Sequence, residues 1–428
     1  MEILLQLILL IIIVAIFFNL RLGIALFVSY SFLVPYCKLD FGGTVLQQNL
    51  INTIVLLSVC LNIKHINIRP FVAFVVFYIL ILFLIPFANG VDIEYQLDRW
   101  RSMVMGNLLV PIALWNMHSM KNAYLSTRHC LIGAVTIACI YGIFLTTMNG
   151  VNPYIMFINA INGNEYRLEW FSSEGRLFGR ISSVFTHPMT YGMFLGCSFI
   201  YVYSIKEKIS KNLFNILLFL LAVNIVIIGV RSLLFASFIT YLFFLFLCRK
   251  KKVMVSAVGL AILFFLMVYI VPELRNYFQK ISDISDQNDI GGSNLDMRLA
   301  QLEGCFNEIR DCFWVGKGNS WHENYMEKNY LHPTILGFES LLFLIICDYG
   351  ILGFCIYGIM IWILLYTQKK YIAYPLNRVI LSCFIVFYLS YCLFTGDYSY
   401  MKIWLFFYFL TFSEMYKKQN EETEQLRE

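Results

Sequence analysis

Arginines beside long apolar segments are the residues of this chain that first suggest chemistry. Arg231 lies between two apolar runs, in the sequence GVRS, and Arg180 ends a polar stretch just before another run. An arginine at the edge of hydrocarbon needs a partner or a polar cavity. Its planar fork suits phosphate better than a lysine does. For Arg231, an equally good explanation is a side chain that reaches back to the membrane surface.

Two further arginines have stronger competing explanations. Arg176 shares the polar stretch of Arg180 and is otherwise an ordinary solvated charge. Arg298 lies on a predicted amphipathic helix, one residue from its apolar stripe, where pairing with Asp296 or Glu303 would account for it. We keep both as candidate phosphate-binding residues.

Glu339 is the acid best placed to act as a general base. It precedes the apolar run of residues 341–366. A carboxylate at such an edge holds its proton more tightly unless it is paired, and this suits acid–base chemistry. The alternative is an acid that complements a helix N-terminus. His187 and His332, each followed by a proline, are alternative bases, although a lone histidine more often has a structural role.

Motifs for metals and cofactors are missing from this sequence. It contains no phosphate-binding glycine loop, Asp-x-Asp motif or zinc spacing on the predicted outer face. Most of the 12 cysteines lie in apolar runs. Cys305 and Cys312 are two helical turns apart, about 10 Å, which is too far for a disulfide. We therefore predict phosphate binding by arginines without a metal or cofactor, and nothing indicates nucleic acid.

The composition shows what must position these residues. Hydrophobic residues make up 59% of the 428 positions and charged residues 14%, against roughly 45–50% and about 25% in soluble domains. A membrane-crossing helix needs about 20 mostly apolar residues.

The first apolar run, residues 2–20, is too long for the hydrophobic region of a signal peptide. Spans are predicted near 3–20, 22–36, 46–62, 70–88, 101–117, 130–148, 186–204, 213–230, 232–248, 253–271, 340–366, 378–394 and 400–415. Only a short link separates the first two, so the prediction is twelve or thirteen.

The distribution of lysine and arginine predicts the orientation. Alternate short loops are basic, which is typical of the cytoplasmic side. The opposite, extracytoplasmic side then carries two long segments, 149–185 and 272–339. The predicted fold class is an all-α integral membrane protein, with one polytopic domain over residues 1–416 and a disordered cytoplasmic tail at 417–428. Apart from Asp348, the spans hold almost no charged residues, which argues against ion-coupled transport.

The second long segment contains a predicted amphipathic helix over residues 295–313. Its apolar residues recur at helical spacing, and Gly316 and Gly318 follow its end. Such a helix lies flat on the bilayer or roofs a cavity. The residues of the apolar stripe are Leu295, Leu299, Leu302, Phe306, Ile309 and Phe313.

An ordered set of motifs resembles the O-antigen polymerase and O-antigen ligase superfamily. The stretch RISSVFTHPMTYG, from Arg180, resembles its arginine and His/Asn-Pro segment. GVRSLLFASF, around Arg231, resembles its arginine between two helices. Residues 298–318 resemble its loop helix with a leading arginine and a closing Gly-x-Gly. Glu339-Ser340, nine residues and then GILG resemble its last signature. The ligases carry a histidine where this chain has Glu339, whereas an acidic residue at that position resembles the polymerases. His332 is an alternative match for that histidine.

The resemblance implies a GT-C-like membrane glycosyltransferase that needs neither metal nor nucleotide sugar. Donor and acceptor would be polyprenyl-diphosphate-linked glycans, joined at the extracytoplasmic face of the bacterial inner membrane into O-antigen, capsular or exopolysaccharide. Arg180, Arg231 and Arg298 would hold the diphosphate, and Glu339 would act on the acceptor hydroxyl. Membrane lipid and a chain-length regulator are further candidate partners. The alternatives are a ligase that transfers glycan to lipid A core, and a polysaccharide flippase or transporter.

Overall fold

The computed structural model describes residues 2–34, 39–41, 44–46, 48–63, 65–120, 122, 124–148, 151–162, 180–248 and 295–425. These residues form a helical bundle with one short antiparallel hairpin, β1 (Leu39–Phe41) and β2 (Thr44–Leu46). The helices are α1 (Glu2–Phe18), α2 (Leu20–Leu33), α3 (Gln48–Asn62), α4 (Val72–Leu84), α5 (Ile93–Asn116), α6 (Leu125–Leu145), α7 (Pro153–Asn162), α8 (Pro188–Ser204), α9 (Lys211–Ile227), α10 (Arg231–Cys248), α11 (Leu295–Glu308), α12 (Trp321–Asn329), α13 (Leu341–Tyr371), α14 (Pro375–Cys392) and α15 (Ser399–Gln425).

The helices confirm the all-α integral membrane class. By length and composition, five stretches of the described chain can cross a membrane: Arg69–Phe87 (α4 with its flanking 3₁₀ turns), α6, α10, α13 and α14. Each predicted span coincides with a helix, except 253–271, which lies outside the described residues. The number of spans, twelve or thirteen, stays a prediction. Asn19 separates α1 from α2, and its side chain accepts a hydrogen bond from Leu22 N at 3.3 Å.

Close aromatic packing around α15 forms the centre of the bundle. The ring of Trp404 stacks on that of Tyr388, with centroids 4.3 Å apart, and Phe409 stacks on Phe71 at 4.2 Å. These side chains are fully buried. Lipid is as apolar as these rings, so tight van der Waals contact, rather than exclusion of water, holds such helices together.

A buried polar contact fixes α9 against α6 and α8. Asn224 donates to the carbonyl of Cys139 at 3.1 Å and accepts from the hydroxyl of Tyr191 at 2.8 Å. Gly142 makes room for this contact, because a Cβ there would lie 2.4 Å from Asn224 Oδ1. An unpaired amide in this setting is costly, so the three helices have one favoured register.

The prediction of a disordered C-terminal tail over residues 417–428 is wrong for residues 417–425, which are helical. Helix α15 continues to Gln425. Its polar end is held by neighbours: Lys417 donates to the carbonyl of Met120, and Gln419 accepts from Ala373 N at 2.8 Å. Composition alone indicated a solvated tail, but these tertiary contacts order the helix well past the apolar run.

The loop helix also differs from its prediction. Helix α11 ends at Glu308, and a 3₁₀ turn over Arg310–Cys312 follows it. Its buried face consists of Gln301, Cys305 and Ile309, each with no exposed surface. Three members of the predicted apolar stripe are instead exposed, namely Leu299, Phe306 and Phe313. The predicted stripe is therefore divided: Ile309 packs inward with Gln301 and Cys305, whereas Leu299, Phe306 and Phe313 face outward.

A charged cluster joins three elements on the side of the bundle with the lysine-rich loops. Glu414 of α15 is buried and lies 2.9 Å from Arg128 of α6 and 2.6 Å from Lys208, just after α8. It also accepts from the Tyr201 hydroxyl at 3.0 Å. One carboxylate thus neutralises two cations that have little access to water.

We predict that Glu414→Ala destabilises the protein by about 3–5 kcal/mol, because it leaves two cations partly buried without a counter-charge. The measurement is thermal unfolding in detergent. Glu207→Ala is the matched control. Glu207 pairs with Lys418 at 3.2 Å, but both side chains are largely exposed, so its loss costs about 0–1 kcal/mol. Equal effects of the two variants would contradict this account.

Candidate active site

A break in α13 shapes the side of the bundle that carries residues 151–162 and 295–340, here called the loop side. Gly350 has φ 60° and ψ −157°, so the helix is interrupted there. Backbone hydrogen bonds with the segment 313–318 replace the helical hydrogen bonds that are lost at the break. Lys317 N donates to Cys347 O at 2.8 Å, and Gly318 N donates to Asp348 O at 3.0 Å. Beyond the break, Ile351 N and Leu352 N donate to the carbonyls of residues 313 and 314.

Glycine is required on both sides of this exchange. A Cβ on Gly316 would lie 2.6 Å from Gly350 N, and a Cβ on Gly350 would lie 2.6 Å from Gly316 N. Both residues also have positive φ angles, which side chains disfavour. One close backbone contact therefore joins two motifs of the sequence. Gly316 belongs to the Gly-x-Gly after the loop helix, and Gly350 is the first glycine of the GILG signature.

Asp348, the acid noted within the spans, fixes the start of α12. Its carboxylate is fully buried and accepts from His322 N at 3.0 Å. His322 Nδ1 lies 2.8 Å from its other oxygen. Burial lowers the pKa of His322, but Asp348 outweighs this effect, and Glu323 and Asp397 add to it, so the net pKa is raised. The pair holds α12 to the break.

The segment before α13 presents Glu339. Ser340, not Glu339, caps the helix, since its hydroxyl accepts from Leu342 N at 3.2 Å and donates to Leu393 O at 2.7 Å. Gly396 packs so closely that a Cβ there would lie 2.3 Å from the carbonyl of Phe338. Phe338 itself has φ 52°. The carboxylate of Glu339 is thus left for other partners.

Arg298 is the residue that reaches Glu339. Its Nη2 lies 3.7 Å from Glu339 Oε2 and donates to the carbonyl of Phe394 at 3.2 Å. Its guanidinium also lies 5.6 Å from the centroid of the Phe394 ring. Arg298 thus turns toward the loop between α14 and α15.

Arg180 and Arg231 are brought together by the backbone next to them. Ile181 N donates to Ile228 O at 3.4 Å, which joins the segment after Arg180 to the end of α9. Gly229, with φ 70°, then turns the chain so that α10 begins at Arg231. The same segment is tied to α6, because the Ser183 hydroxyl donates to Ala138 O at 2.6 Å.

These four side chains share one electrostatic environment. Burial lowers the pKa of both Arg180 and Arg298, Glu339 opposes that shift in each, and Arg231 adds to it in each. Glu339 and Arg231 therefore act electrostatically on both of the other arginines. Guanidinium groups keep their charge in proteins. Among the residues that the structure describes, three cations and one carboxylate therefore leave an excess of positive charge here, which favours an anionic ligand.

The remaining candidates occupy different settings. His187 caps α8 by accepting from Met189 N at 3.2 Å, and burial together with Arg180 lowers its pKa to about 4. His332 Nδ1 accepts from Ile335 N at 3.1 Å, and its Nε2 lies 3.4 Å from Glu308. The structure thus engages at least one ring nitrogen of each histidine in local folding. Arg176 lies outside the described residues.

Part of the chain is similar to a known family. Residues 216–358 match the family model described as O-antigen ligase. This stretch is about a third of the chain and contains Arg231, Arg298 and Glu339. It also contains the Gly-x-Gly after the loop helix and the GILG signature. It begins after Arg180 and His187. The match confirms the resemblance to the O-antigen polymerase and ligase superfamily.

The O-antigen ligase match indicates a function of the ligase or polymerase type and suggests a glycan-processing membrane enzyme. It does not separate ligase from polymerase, and it gives no support to the flippase alternative. No curated protein matches the chain.

Two features of the loop side were missed by sequence analysis. The first is the contact between His322 and Asp348, residues 26 positions apart, and the second is the loop after α14, which contacts Arg298 and the segment around Glu339. One signal was present: an acid within an apolar span needs a partner. Asp348 was noticed, but nothing local identified His322 as that partner.

We predict that Gly350→Ala destabilises the protein by about 3 kcal/mol or more. The new methyl group would require a disfavoured backbone angle and would collide with Gly316. Gly358→Ala, in the same helix, is the matched control because a Cβ there meets nothing within 4 Å. It should be neutral or stabilising by about 0.5–1 kcal/mol. Melting temperatures in detergent measure both, and a tolerated Gly350→Ala would argue against the break.

Proposed function

We propose that this protein polymerises polyprenyl-diphosphate-linked oligosaccharide repeats at the extracytoplasmic face of the bacterial inner membrane. One observation supports the proposal: Arg298 lies 3.7 Å from Glu339 on the loop side, and Arg180 and Arg231 interact electrostatically with members of this pair. The products would be O-antigen, capsular or exopolysaccharide chains. The enzyme would be a glycosyltransferase whose arginines, rather than a metal ion, meet the diphosphate.

The arginines would act on the leaving group. The acceptor hydroxyl oxygen attacks the anomeric carbon of the donor glycan, and the bond from that carbon to the diphosphate breaks. Negative charge grows on the departing polyprenyl diphosphate. Guanidinium groups already gathered at that place stabilise the charge without reorganising. Their partial burial strengthens the interaction, because less water competes for the phosphate oxygens.

Glu339 would receive the proton of the acceptor hydroxyl. Its side chain is 40% exposed, against 20% for Arg298, so a ligand can reach the carboxylate. Its contact with Arg298 is long for an ion pair, at 3.7 Å. An arriving diphosphate would compete for that arginine and release the carboxylate for the acceptor. His187 and His332, whose ring nitrogens serve local folding, remain the second choices.

A polymerase and a ligase differ only in the acceptor. The polymerase is favoured by an acid at position 339, where the ligases are expected to carry histidine. The ligase is favoured by the description of the family model that matches residues 216–358. In that case lipid A core would replace the lipid-linked repeat as acceptor, and the arginines and Glu339 would keep the same roles.

Purified protein supplied only with lipid-linked repeats tests the proposal. A ladder of products differing by one repeat is expected from a polymerase. No product until a different acceptor is added would identify the ligase. Absence of any new glycosidic bond with either acceptor, in protein that remains folded, would reject both.

We predict that Arg231→Ala lowers the rate of transfer by about 10²–10³-fold, the usual effect of removing one preorganised donor to a developing anion. Arg231→Lys should recover only part of the rate, since an ammonium group lacks the two-point fork. Arg310→Ala is the control, because Arg310 is an exposed arginine in the 3₁₀ turn after α11. The measurement is initial rate on lipid-linked repeats, and a wild-type rate for Arg231→Ala would exclude its assigned role.

We predict that Glu339→Gln lowers kcat by about 10²–10⁴-fold, because the amide cannot accept the proton. Donor binding should persist, since Gln removes the charge that competes with the diphosphate for Arg298. Glu327→Gln serves as control; this acid lies on α12 and is paired with Arg99 in an exposed setting. A large rise in KM with unchanged kcat would instead assign Glu339 to binding.

A further inference from the structure

The outward side of α11 and of the turn after it carries an apolar patch, which we define as Leu299, Phe306, Phe313 and Trp314. Their exposed fractions are 56%, 39%, 40% and 63%. The rings of Phe306 and Phe313 have centroids 6.5 Å apart, and those of Phe313 and Trp314 are 5.6 Å apart. Neighbouring exposed aromatic rings of this kind mark a surface that contacts something else.

The second part of α13 shows where the membrane lies relative to this patch. Residues 351–371 are helical beyond the break at Gly350 and extend for about 30 Å, the thickness of the hydrocarbon layer. Leu352 lies at the loop-side end of this part, and therefore at the edge of the hydrocarbon. Exposed residues recur along the helix at helical spacing and form its lipid-facing stripe: Leu352, Cys355, Ile359, Trp362 and Tyr366.

Backbone hydrogen bonds place the patch at the upper end of that stripe. Ile351 N donates to the carbonyl of Phe313 at 3.1 Å, and Leu352 N donates to the carbonyl of Trp314 at 3.0 Å. Phe313 and Trp314 therefore lie at the same depth as the first lipid-facing residue of α13. Tryptophan is enriched at this boundary, because its ring is apolar and its N–H is polar.

The composition of the outward side of α11 fits the headgroup layer better than either neighbouring layer. Leu299 and Phe306 are two turns apart and lie on one side of the helix. Glu303 and Arg310 are also exposed on this side. Two charges are too costly for the hydrocarbon, whereas the exposed apolar side chains are unfavourable in water. Helices of this mixed kind lie in the interface, with the apolar side chains about 5–10 Å into the boundary.

We propose that the outer apolar patch inserts into the headgroup layer on the loop side of the bilayer and anchors α11 there. The partner is the phospholipid surface itself. Arg298 precedes Leu299 directly, so the anchor also fixes the depth of this arginine. The lipid contact does not depend on the proposed glycosyl transfer. Under that function, it would hold Arg298 at the level of a lipid-linked diphosphate.

Fluorescence quenching in liposomes tests the position of the patch. The full-length protein is reconstituted into phosphatidylcholine, with or without bromine atoms on the acyl chains near the headgroup. The chain has 7 tryptophans, and the difference between the wild type and Trp314→Phe isolates the emission of Trp314. We expect brominated lipid to remove most of this emission, and iodide in the water to remove little of it.

Two other tryptophans serve as matched controls in the same difference measurement. Trp362 is 68% exposed on the lipid-facing stripe and lies about halfway along the crossing part of α13. Its emission should be quenched best by bromine placed deeper on the acyl chain. Trp321 is 6% exposed, at the start of α12, and its emission should resist both bromine and iodide.

Two results would overturn the proposal. Quenching of Trp314 by iodide but not by brominated lipid would place the patch in water. Protection from both quenchers would mean that protein covers the patch, and chemical crosslinking would then show whether a second copy of the chain does so.

The anchoring role has a separate readout. Phe306→Ser should raise the hydrogen-exchange rate of the α11 amides in liposomes by about tenfold, because the helix loses apolar surface held by lipid. Serine and phenylalanine have similar helix propensities, so the change tests the lipid contact. Glu303→Gln, at an exposed position of the same helix, is the control and should leave the rate unchanged. An unchanged rate in Phe306→Ser would contradict the anchoring role.

Discussion

The backbone exchange at Gly350 is the interaction on which the loop side depends. Hydrocarbon offers no hydrogen-bond partners, so a broken helix is tolerated only where protein supplies them. Here the segment 313–318 does so, through four bonds from or to residues 347, 348, 351 and 352. Residues Ile351–Tyr371 are enough to cross the apolar layer, which needs about 20 residues. The part before the break is thereby free to belong to the loop side.

From this exchange the position of the other loop-side elements follows. The segment 313–318 comes directly after α11, so its anchoring also places Arg298. It leads into α12, whose first turn is held by Asp348 through His322. Asn319, at the same junction, donates to Gln96 O at 2.9 Å and accepts from Tyr349, which ties the loop to α5. These contacts stabilise the fold of the loop side. They thereby also set the positions of the charged residues that would bind substrate under the proposed function.

Sequence analysis located the helices well because the signal for each is local. An apolar run long enough to cross a bilayer becomes a helix whatever its neighbours are. It also selected Arg180, Arg231, Arg298 and Glu339, which the structure brings into one environment. Whether they act as a catalytic site stays a prediction. The family motifs were informative because they combine residue type with order.

The apolar stripe of the loop helix did not indicate which of its residues are buried, and the reason is physical. An apolar stripe predicts a buried face only where water is the alternative. Beside a membrane, Leu299, Phe306 and Phe313 can remain outside, and the face with Gln301 and Cys305 packs inward. The pairing of His322 with Asp348 depends on how separate segments meet. Periodicity within one segment contains no information about that.

Gathering three arginines has an electrostatic consequence for the site itself. Like charges in a partly buried region repel one another. Arg231 accordingly lowers the pKa of both Arg180 and Arg298. Glu339 offsets part of this repulsion, which gives the carboxylate a structural reason to be present before any substrate binds. Since Ser340 caps α13, Glu339 is not needed for the helix. A diphosphate would supply more negative charge than Glu339 and would take over the arginines. Under the proposed function, the step that binds the donor would therefore also release the base, so that deprotonation of the acceptor follows donor binding.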